Sequence, residues 1–412
     1  MRIRDFTAAG HWPTLLAAFL YFDASFLVWL LFGALANTIA GDFALTDSQK
    51  GLLVAVPLLG GALLRLPLGL LADRVGGRPA GLIGMALTIV PLVLCWLWAE
   101  GFSTLLAAGL LLGIAGGSFA VALPLASRWY PPQYQGLVMG IAGAGNSGTV
   151  LAALLAPRLA DAVGWHGVFG IAALLMAATM VAFALLARDS PNETAPKQLS
   201  EYWSLRREKD VWWFAFFYGI TFGGFVGLAS FLGIYFHDQY GLDRGAAGTF
   251  TAICVVAGSF LRPAGGYLAD RFGGIRVLRA LYVAVGAVLL AMASVPPLAG
   301  AVVFLFVGLG LLGMGNGAVF QLVPQRFGRE IGIVTGVVGA AGGLGGFLLP
   351  VVLGSLKQAT GAFSGGFVCI GLASLTAAGA LLYVSRAWQL AFLGRGGIAR
   401  ALVPVEVPVE AE

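Results

Sequence analysis

Charge is scarce in this chain. Only 10% of its 412 residues are Asp, Glu, Lys or Arg, against about 25% in water-soluble domains. Long hydrophilic stretches are scarce too: the one extended polar segment is 188–210, RDSPNETAPKQLSEYWSLRREKD. Together these exclude a soluble globular protein and leave no room for a hidden soluble domain. Cysteine is limited to Cys95, Cys254 and Cys369, each inside a different apolar run. That pattern excludes a disulfide framework and a metal or redox spacing, and all three read as packing residues. The three histidines, His11, His166 and His237, lie in the N-terminal tail or near the ends of apolar runs. No Ser/His/Asp arrangement, metal cluster or strand-to-helix phosphate loop is present, so neither an enzyme nor a cofactor is expected.

What fills the chain is apolar. Hydrophobic residues make up 59%, with 61 glycines in no collagen-like period; in apolar helices such residues allow close helix–helix approach. Runs of about 20 apolar residues, the length that crosses a bilayer, fall at 14–36, 48–72, 79–99, 102–126, 134–157 and 166–187. Six more fall at 211–236, 245–269, 277–297, 299–323, 331–355 and 363–385. The spacing predicts an all-α integral membrane protein of twelve transmembrane helices. Its organisation is 1–187 as a first six-helix half, 188–210 as a linker, 211–386 as a second half and 387–412 as a tail. The segment before the first run is polar and that run is long enough to span, so no cleavable leader is expected.

Charge supplies the orientation. Of 24 Lys and Arg, Lys50, Arg158, Arg244 and Lys357 fall on one side, and Arg65 and Arg262 fall inside apolar runs. The remaining 18 share the side of the termini and the linker. Such a bias predicts a multi-pass protein of the inner (plasma) membrane with both termini and the linker cytoplasmic. The formal net charge of +5 then reflects topology, and no nucleic-acid partner is implied.

The two halves repeat each other. Gly60 to Arg78, GGALLRLPLGLLADRVGGR, returns as Gly258 to Arg276, GSFLRPAGGYLADRFGGIR. GIAGGSFAVALP, ending at Pro124, returns as GMGNGAVFQLVP, ending at Pro324. GIAGAGNSG (Gly140–Gly148) returns as GVVGAAGGLGG (Gly336–Gly346). Two related six-helix halves around a central linker, with Gly69-Leu-Leu-Ala-Asp-Arg-Val-Gly-Gly-Arg78 and Gly266-Tyr-Leu-Ala-Asp-Arg-Phe-Gly-Gly274, resemble the major facilitator superfamily. The resemblance implies that Asp73, Arg74, Asp270 and Arg271 belong to inner gates between the halves.

The substrate reading starts from Arg65 and Arg262. Each lies eight residues before its Asp, about 12 Å deeper in the membrane at 1.5 Å per residue. An arginine at that depth costs about 2.5–3.5 kcal/mol on insertion scales, and the chain accepts the cost twice. Snorkelling would need most of a fully extended side chain, and the only acid deep in an apolar run is Asp23. Two guanidiniums with at most one acid leave positive charge for a small anion to meet. The planar fork of donors suits coplanar oxygens, as in nitrate or nitrite, with phosphate and carboxylates left open. Asn146, in Gly143-Ala-Gly-Asn-Ser-Gly148, could donate to an anion oxygen or bind a neighbouring helix; Asn316 has a comparable setting.

The likeness then narrows. Gly143-Ala-Gly-Asn-Ser-Gly-Thr149 and Gly339-Ala-Ala-Gly-Gly-Leu-Gly-Gly-Phe347 resemble the two glycine-rich signatures of the nitrate/nitrite porter family. Ser127-Arg-Trp-Tyr-Pro-Pro132 and the arginine pair are similar to that family as well. The resemblance implies that Arg65 and Arg262 clamp the anion, that Asn146 contacts it, that Tyr218 donates to it, and that Phe119 and Phe222 form walls, with Phe26 a weaker candidate. The signature glycines are Gly143, Gly145, Gly148, Gly342, Gly343, Gly345 and Gly346. Asp23 is either a proton carrier, which makes the protein a nitrate/proton symporter, or a structural partner of an arginine or a helix amide, which favours nitrate/nitrite exchange. The sequence leans to symport. A monomer in the lipid bilayer, with nitrate, nitrite and protons as its partners, is the expectation. A drug exporter of the same fold would offer acids in place of the arginines, another small-anion carrier would share them, and a non-transporting nitrate sensor would carry an added output domain.

Overall fold

In the computed structural model of the chain, the residues described are 6, 9–131, 134–191, 205, 207–327, 331–393 and 395–397. Pro132, most of the linker and the tail beyond 397 therefore lie outside the described residues. Among the described residues, eleven helical stretches are long and apolar enough to cross a membrane. One of them, Val138–Leu186, has 49 residues, about 74 Å at 1.5 Å per residue, or more than two bilayer cores. Gly164 interrupts it at φ 72°, ψ 160°, a conformation that glycine reaches without a Cβ penalty. Splitting there gives twelve spans: α1 Trp12–Phe43, α2 Asp47–Val75, α3 Gly77–Leu97, α4 Phe102–Ser127, α5 138–163, α6 165–186, α7 Lys209–Tyr240, α8 Arg244–Phe272, α9 Gly274–Met292, α10 Leu298–Arg326, α11 Ile333–Thr360 and α12 Ser364–Ala391. The loop expected at 158–165 is helix up to that corner, so Arg158 sits on α5 itself.

Helix starts follow their caps. His11 Nδ1 accepts from the Thr14 amide at 3.3 Å ahead of Pro13 at the start of α1. Thr46 and Gln49 form a reciprocal capping box on α2, and Asp243 Oδ1 accepts from the Ala246 amide on α8 at 2.9 Å. Each satisfies an amide that the first turn leaves open. Within each half, glycine lets helices touch backbone to backbone. A Cβ on Gly113 would collide with Gly60, and one on Gly313 would collide with Gly258. The repeat thus packs α4 on α2 and α10 on α8 in the same way.

Cys95 and Cys254 are buried, but Cys369 is exposed on α12. The packing role expected for it fails because its side of the helix faces outward.

Among the described residues, five hydrogen bonds join the halves. Asn37 Nδ2 donates to Gly233 O at 2.9 Å, the Ser48 amide to Gln358 Oε1 at 3.0 Å, Lys50 Nζ to Asp238 Oδ2 at 2.9 Å, Arg158 Nη2 to Thr249 Oγ1 at 2.6 Å, and Arg65 Nη1 to Gly339 O at 2.6 Å. In all five the donor belongs to the first half. Four of them lie on the side away from the termini. On the terminal side the described ion pairs stay within a half or next to it: Arg128 with Asp73 at 3.1 Å, and Arg326 with Asp210 at 2.7 Å and Glu208 at 3.0 Å. The halves are therefore sealed together at one end of the bundle.

Candidate anion site between the halves

Arg65 is 2% exposed, inside unbroken α2. It does not snorkel. Nη1 donates to Gly339 O of α11 at 2.6 Å and Nη2 to Gly116 O of α4 at 2.8 Å, while Nε has no partner. Gly116 lies in a 3-10 segment, Gly113–Gly117, that interrupts α4, a form that often marks a functional hinge inside a longer helix. Arg262 occupies the matching place in α8, but there the helix is broken. Leu261 separates Arg244–Phe260 from Arg262–Phe272, and Pro263 supplies no amide to bridge the gap. Arg262 Nη1 is buried without a partner.

The two guanidiniums meet around one ring. Arg65 Cζ lies 5.6 Å and Arg262 Cζ 5.4 Å from the centroid of Phe119, so no more than about twice that distance separates the charges. Arg65 also lies 5.6 Å from Phe222, and Arg262 5.7 Å from Phe320. Each cation is thus held over one aromatic of its own half and one of the other. At an effective dielectric near 20, two such charges repel by roughly 1.5 kcal/mol or more. Cation–π contacts worth about 0.5–2 kcal/mol each offset the repulsion, but Arg65 Nε and Arg262 Nη1 stay buried without an acceptor. Among the described residues neither arginine forms an ion pair with an acid.

The other candidates gather nearby. Tyr218, 1% exposed, stacks on Phe222 at 5.1 Å, meets Phe320 edge-on at 4.9 Å, and has its hydroxyl beside the Arg262 guanidinium. Asn146 lies in a second 3-10 segment, Ala144–Ser147, in α5, and its buried Oδ1 has no partner; the same holds for Asn316 Oδ1 in α10. Phe26 stands one ring further off, 4.3 Å from Phe22, which is 5.7 Å from Phe119.

Asp23 is not paired with either arginine. Its Oδ1 accepts from Ser147 Oγ at 2.6 Å, with the Gly148 amide beside it. Of the signature glycines, Gly145 and Gly148 press on the α1 backbone at Phe22 and Asp23. Gly342 faces the Tyr218 ring, Gly343 faces Ala62 of α2, and Gly345 and Gly346 abut α7, while Gly143 faces open space. Asp73 pairs with Arg128 in its own half, and Arg74, Asp270 and Arg271 are exposed.

Sequence reasoning missed Phe320 and the two carbonyls that hold Arg65. The repeat aligns Phe119 with Val319, so the second aromatic is displaced by one position; a search of the repeat allowing one residue of slip finds it. The carbonyls carry no side-chain signal.

Residues 17–350 match the Major Facilitator Superfamily. The chain belongs to that superfamily. It is 34% identical over 369 residues to the nitrite extrusion protein of Bacillus subtilis (strain 168), covering 89% of this chain and 92% of that one. It is 38% identical over 341 residues to the probable nitrate/nitrite transporter NarK2 of Mycobacterium tuberculosis (strain CDC 1551 / Oshkosh), covering 80% and 85%. These relatives place it in the nitrate/nitrite porter branch. The crystal structure of a bacterial homolog to the human lysosomal transporter Spinster, inward-facing and occupied, superposes with a TM-score of 0.70 at 19% identity, covering 92% of this chain and 98% of that one. This major facilitator is a carrier and not an enzyme.

Proposed function

We propose that the protein exchanges nitrate and nitrite across the inner membrane by alternating access, with both termini cytoplasmic. The observation that carries the reading is the pair of guanidiniums around Phe119, one wholly buried and one half-buried, to which no described acid is paired. An anion lying between them accepts from Arg65 Nε and Arg262 Nη1, the buried donors left without a partner, and planar oxyanions suit guanidinium donors. Moving the empty site through the closed state would carry two uncompensated charges, so the halves reorient only when loaded. Exchange follows from that restriction. The charge bias toward the terminal side supports the orientation, and the sealed end away from the termini supports an inward-facing arrangement.

Asp23 moves the weight from symport toward exchange. It is held by a hydroxyl and a helix amide, not by an arginine. The second reading, proton-coupled symport, rests on the same contact: Ser147 is the neighbour of Asn146, so a proton on Asp23 would be felt at the site.

The test is nitrate uptake into proteoliposomes with and without internal nitrite, and with and without a pH gradient, for the wild type and Asp23→Asn. Uptake should require internal nitrite or nitrate, ignore the gradient and survive Asp23→Asn within twofold. Uptake into anion-free vesicles, driven by the gradient and lost in Asp23→Asn, would replace exchange by symport. Competition by nitrite but not by formate or phosphate tests the substrate class.

A further inference from the structure

We propose that Arg158 and Arg244, with Asn37 beneath them, form an anion-capture site at the mouth of the sealed end. It would hold the incoming anion when the halves part there. The proposal rests on the anion-transport reading above. Its observation is different: the fate of the four cations on the side away from the termini.

Lys50 is neutralised twice, by Asp238 across the seam at 2.9 Å and by Asp47 on its own helix at 3.6 Å. Parting the halves leaves it Asp47. Lys357 donates to Gly361 O at 2.7 Å and lies over the Phe363 ring, both in its own half, and Arg158 Nη1 likewise donates to Leu154 O of its own helix, but its Nη2 crosses the seam. Arg158 and Arg244 form no ion pair among the described residues. Their neighbouring acids do not serve: Asp243 caps α8 through the Ala246 amide, and Asp161 lies one turn along α5 without pairing to Arg158. Both guanidiniums bridge the seam. Arg158 of α5 reaches Thr249 of α8, and Arg244 of α8 lies against α1, where a Cβ on Gly41 would sit 3.4 Å from its Nη2.

Below them the seam holds a small cavity with polar groups among its apolar walls. Its volume is about 10 Å³, and Asn37, Thr38, Thr149, Thr251 and Arg244 are among the residues that line it; that is room for one water. Asn37 Oδ1 is buried without a partner, and Thr149 Oγ1 donates to Asn146 O at 2.7 Å. The cavity therefore lies between Arg244 and Thr149, whose hydroxyl is bonded to the backbone of Asn146 at the central site. When the seam parts, Arg158 Nη2 loses Thr249 and Asn37 Nδ2 loses Gly233 O. The wall of the seam then presents donors and unneutralised charge, which raises the local concentration of an anion. The groups that latch the closed state become the ligands of the open one.

The test is nitrate homoexchange in proteoliposomes of known sidedness. External nitrate is varied against saturating internal nitrate, then the reverse. Wild-type exchange establishes the transport reading, and its absence would sink that reading instead. Arg158→Gln and Arg244→Gln should each raise KM about 3–10-fold on the side away from the termini. KM on the terminal side and the maximal exchange rate should stay within twofold, and Arg158→Lys should restore the first value. An unchanged KM with an altered maximal rate would overturn the proposal by making the arginines latches only; equal KM shifts on both sides would overturn it too.

Discussion

The two halves descend to the same depth with the same residue and treat it differently. Arg65 sits in a continuous helix, wholly buried, and two backbone carbonyls hold its fork. Arg262 opens a helix that restarts after Leu261, and one of its terminal nitrogens is buried with nothing to bind. The interruption is moved, not absent: in the first half it falls in α4 and α5, as 3-10 segments at Gly113–Gly117 and Ala144–Ser147. The matching stretches of α10 and α11 run through without a break. One half places a fixed cation beside helices that bend, and the other places an unsatisfied cation on the bend. We read this as division of labour, with Arg65 joining the halves and Arg262 seeking the substrate.

Replacing each arginine puts this contrast under the most severe test. Arg65→Lys and Arg262→Lys should each lower nitrate flux by about 100-fold or more, since a lysine cannot reproduce the planar fork. Thermal stability in detergent should separate them. Arg65→Ala removes buried hydrogen bonds to two carbonyls, at a cost of about 1–3 kcal/mol, whereas Arg262→Ala gives up ring contacts but also removes an unsatisfied buried donor and should shift the melting temperature by less. Equal melting shifts would end the proposed division.

A smaller effect is expected at the rings. Phe119 serves both cations, and Phe222 and Phe320 one each. At about 0.5–1 kcal/mol per contact, Phe119→Leu should raise the KM for nitrate about 10-fold, and Phe222→Leu or Phe320→Leu about 3-fold. Flux curves that show the same shift for all three would mean that the rings act as walls and not as cation supports.

The smallest contrast is between two glycines of the paired signatures. A Cβ on Gly339 would lie 2.7 Å from Arg65 Nη1, while one on Gly143 would meet nothing within 4 Å. Gly339→Ala should lower flux about 5-fold by displacing the guanidinium, and Gly143→Ala should stay within twofold of wild type.

The plan of the fold was legible because apolar runs and a long-period repeat are written in residue type. So was the arginine pair, since charge in an apolar run stands out whatever surrounds it. What lay beyond reading was whatever depends on backbone. The carbonyls of Gly116 and Gly339 look like every other carbonyl until a bent helix or a close approach presents them. Asp23 was visible as an acid at depth, but Ser147 was not visible as its partner, because that contact needs the 3-10 turn in α5. Cys369 went astray for a simpler reason: an apolar run does not say which side of its helix meets lipid.

The one-way seam reaches past transport. Two halves built on one repeat point back to an ancestral pair of identical subunits, and a true twofold interface must offer the same groups from both sides. This interface no longer can: Asn37, Ser48, Lys50, Arg65 and Arg158 all give, and Gly233, Gln358, Asp238, Gly339 and Thr249 all receive. A molecule assembled from two copies of the first half would lack the side-chain acceptors Asp238, Gln358 and Thr249. The halves keep the outline of a duplication and have given up interchangeability.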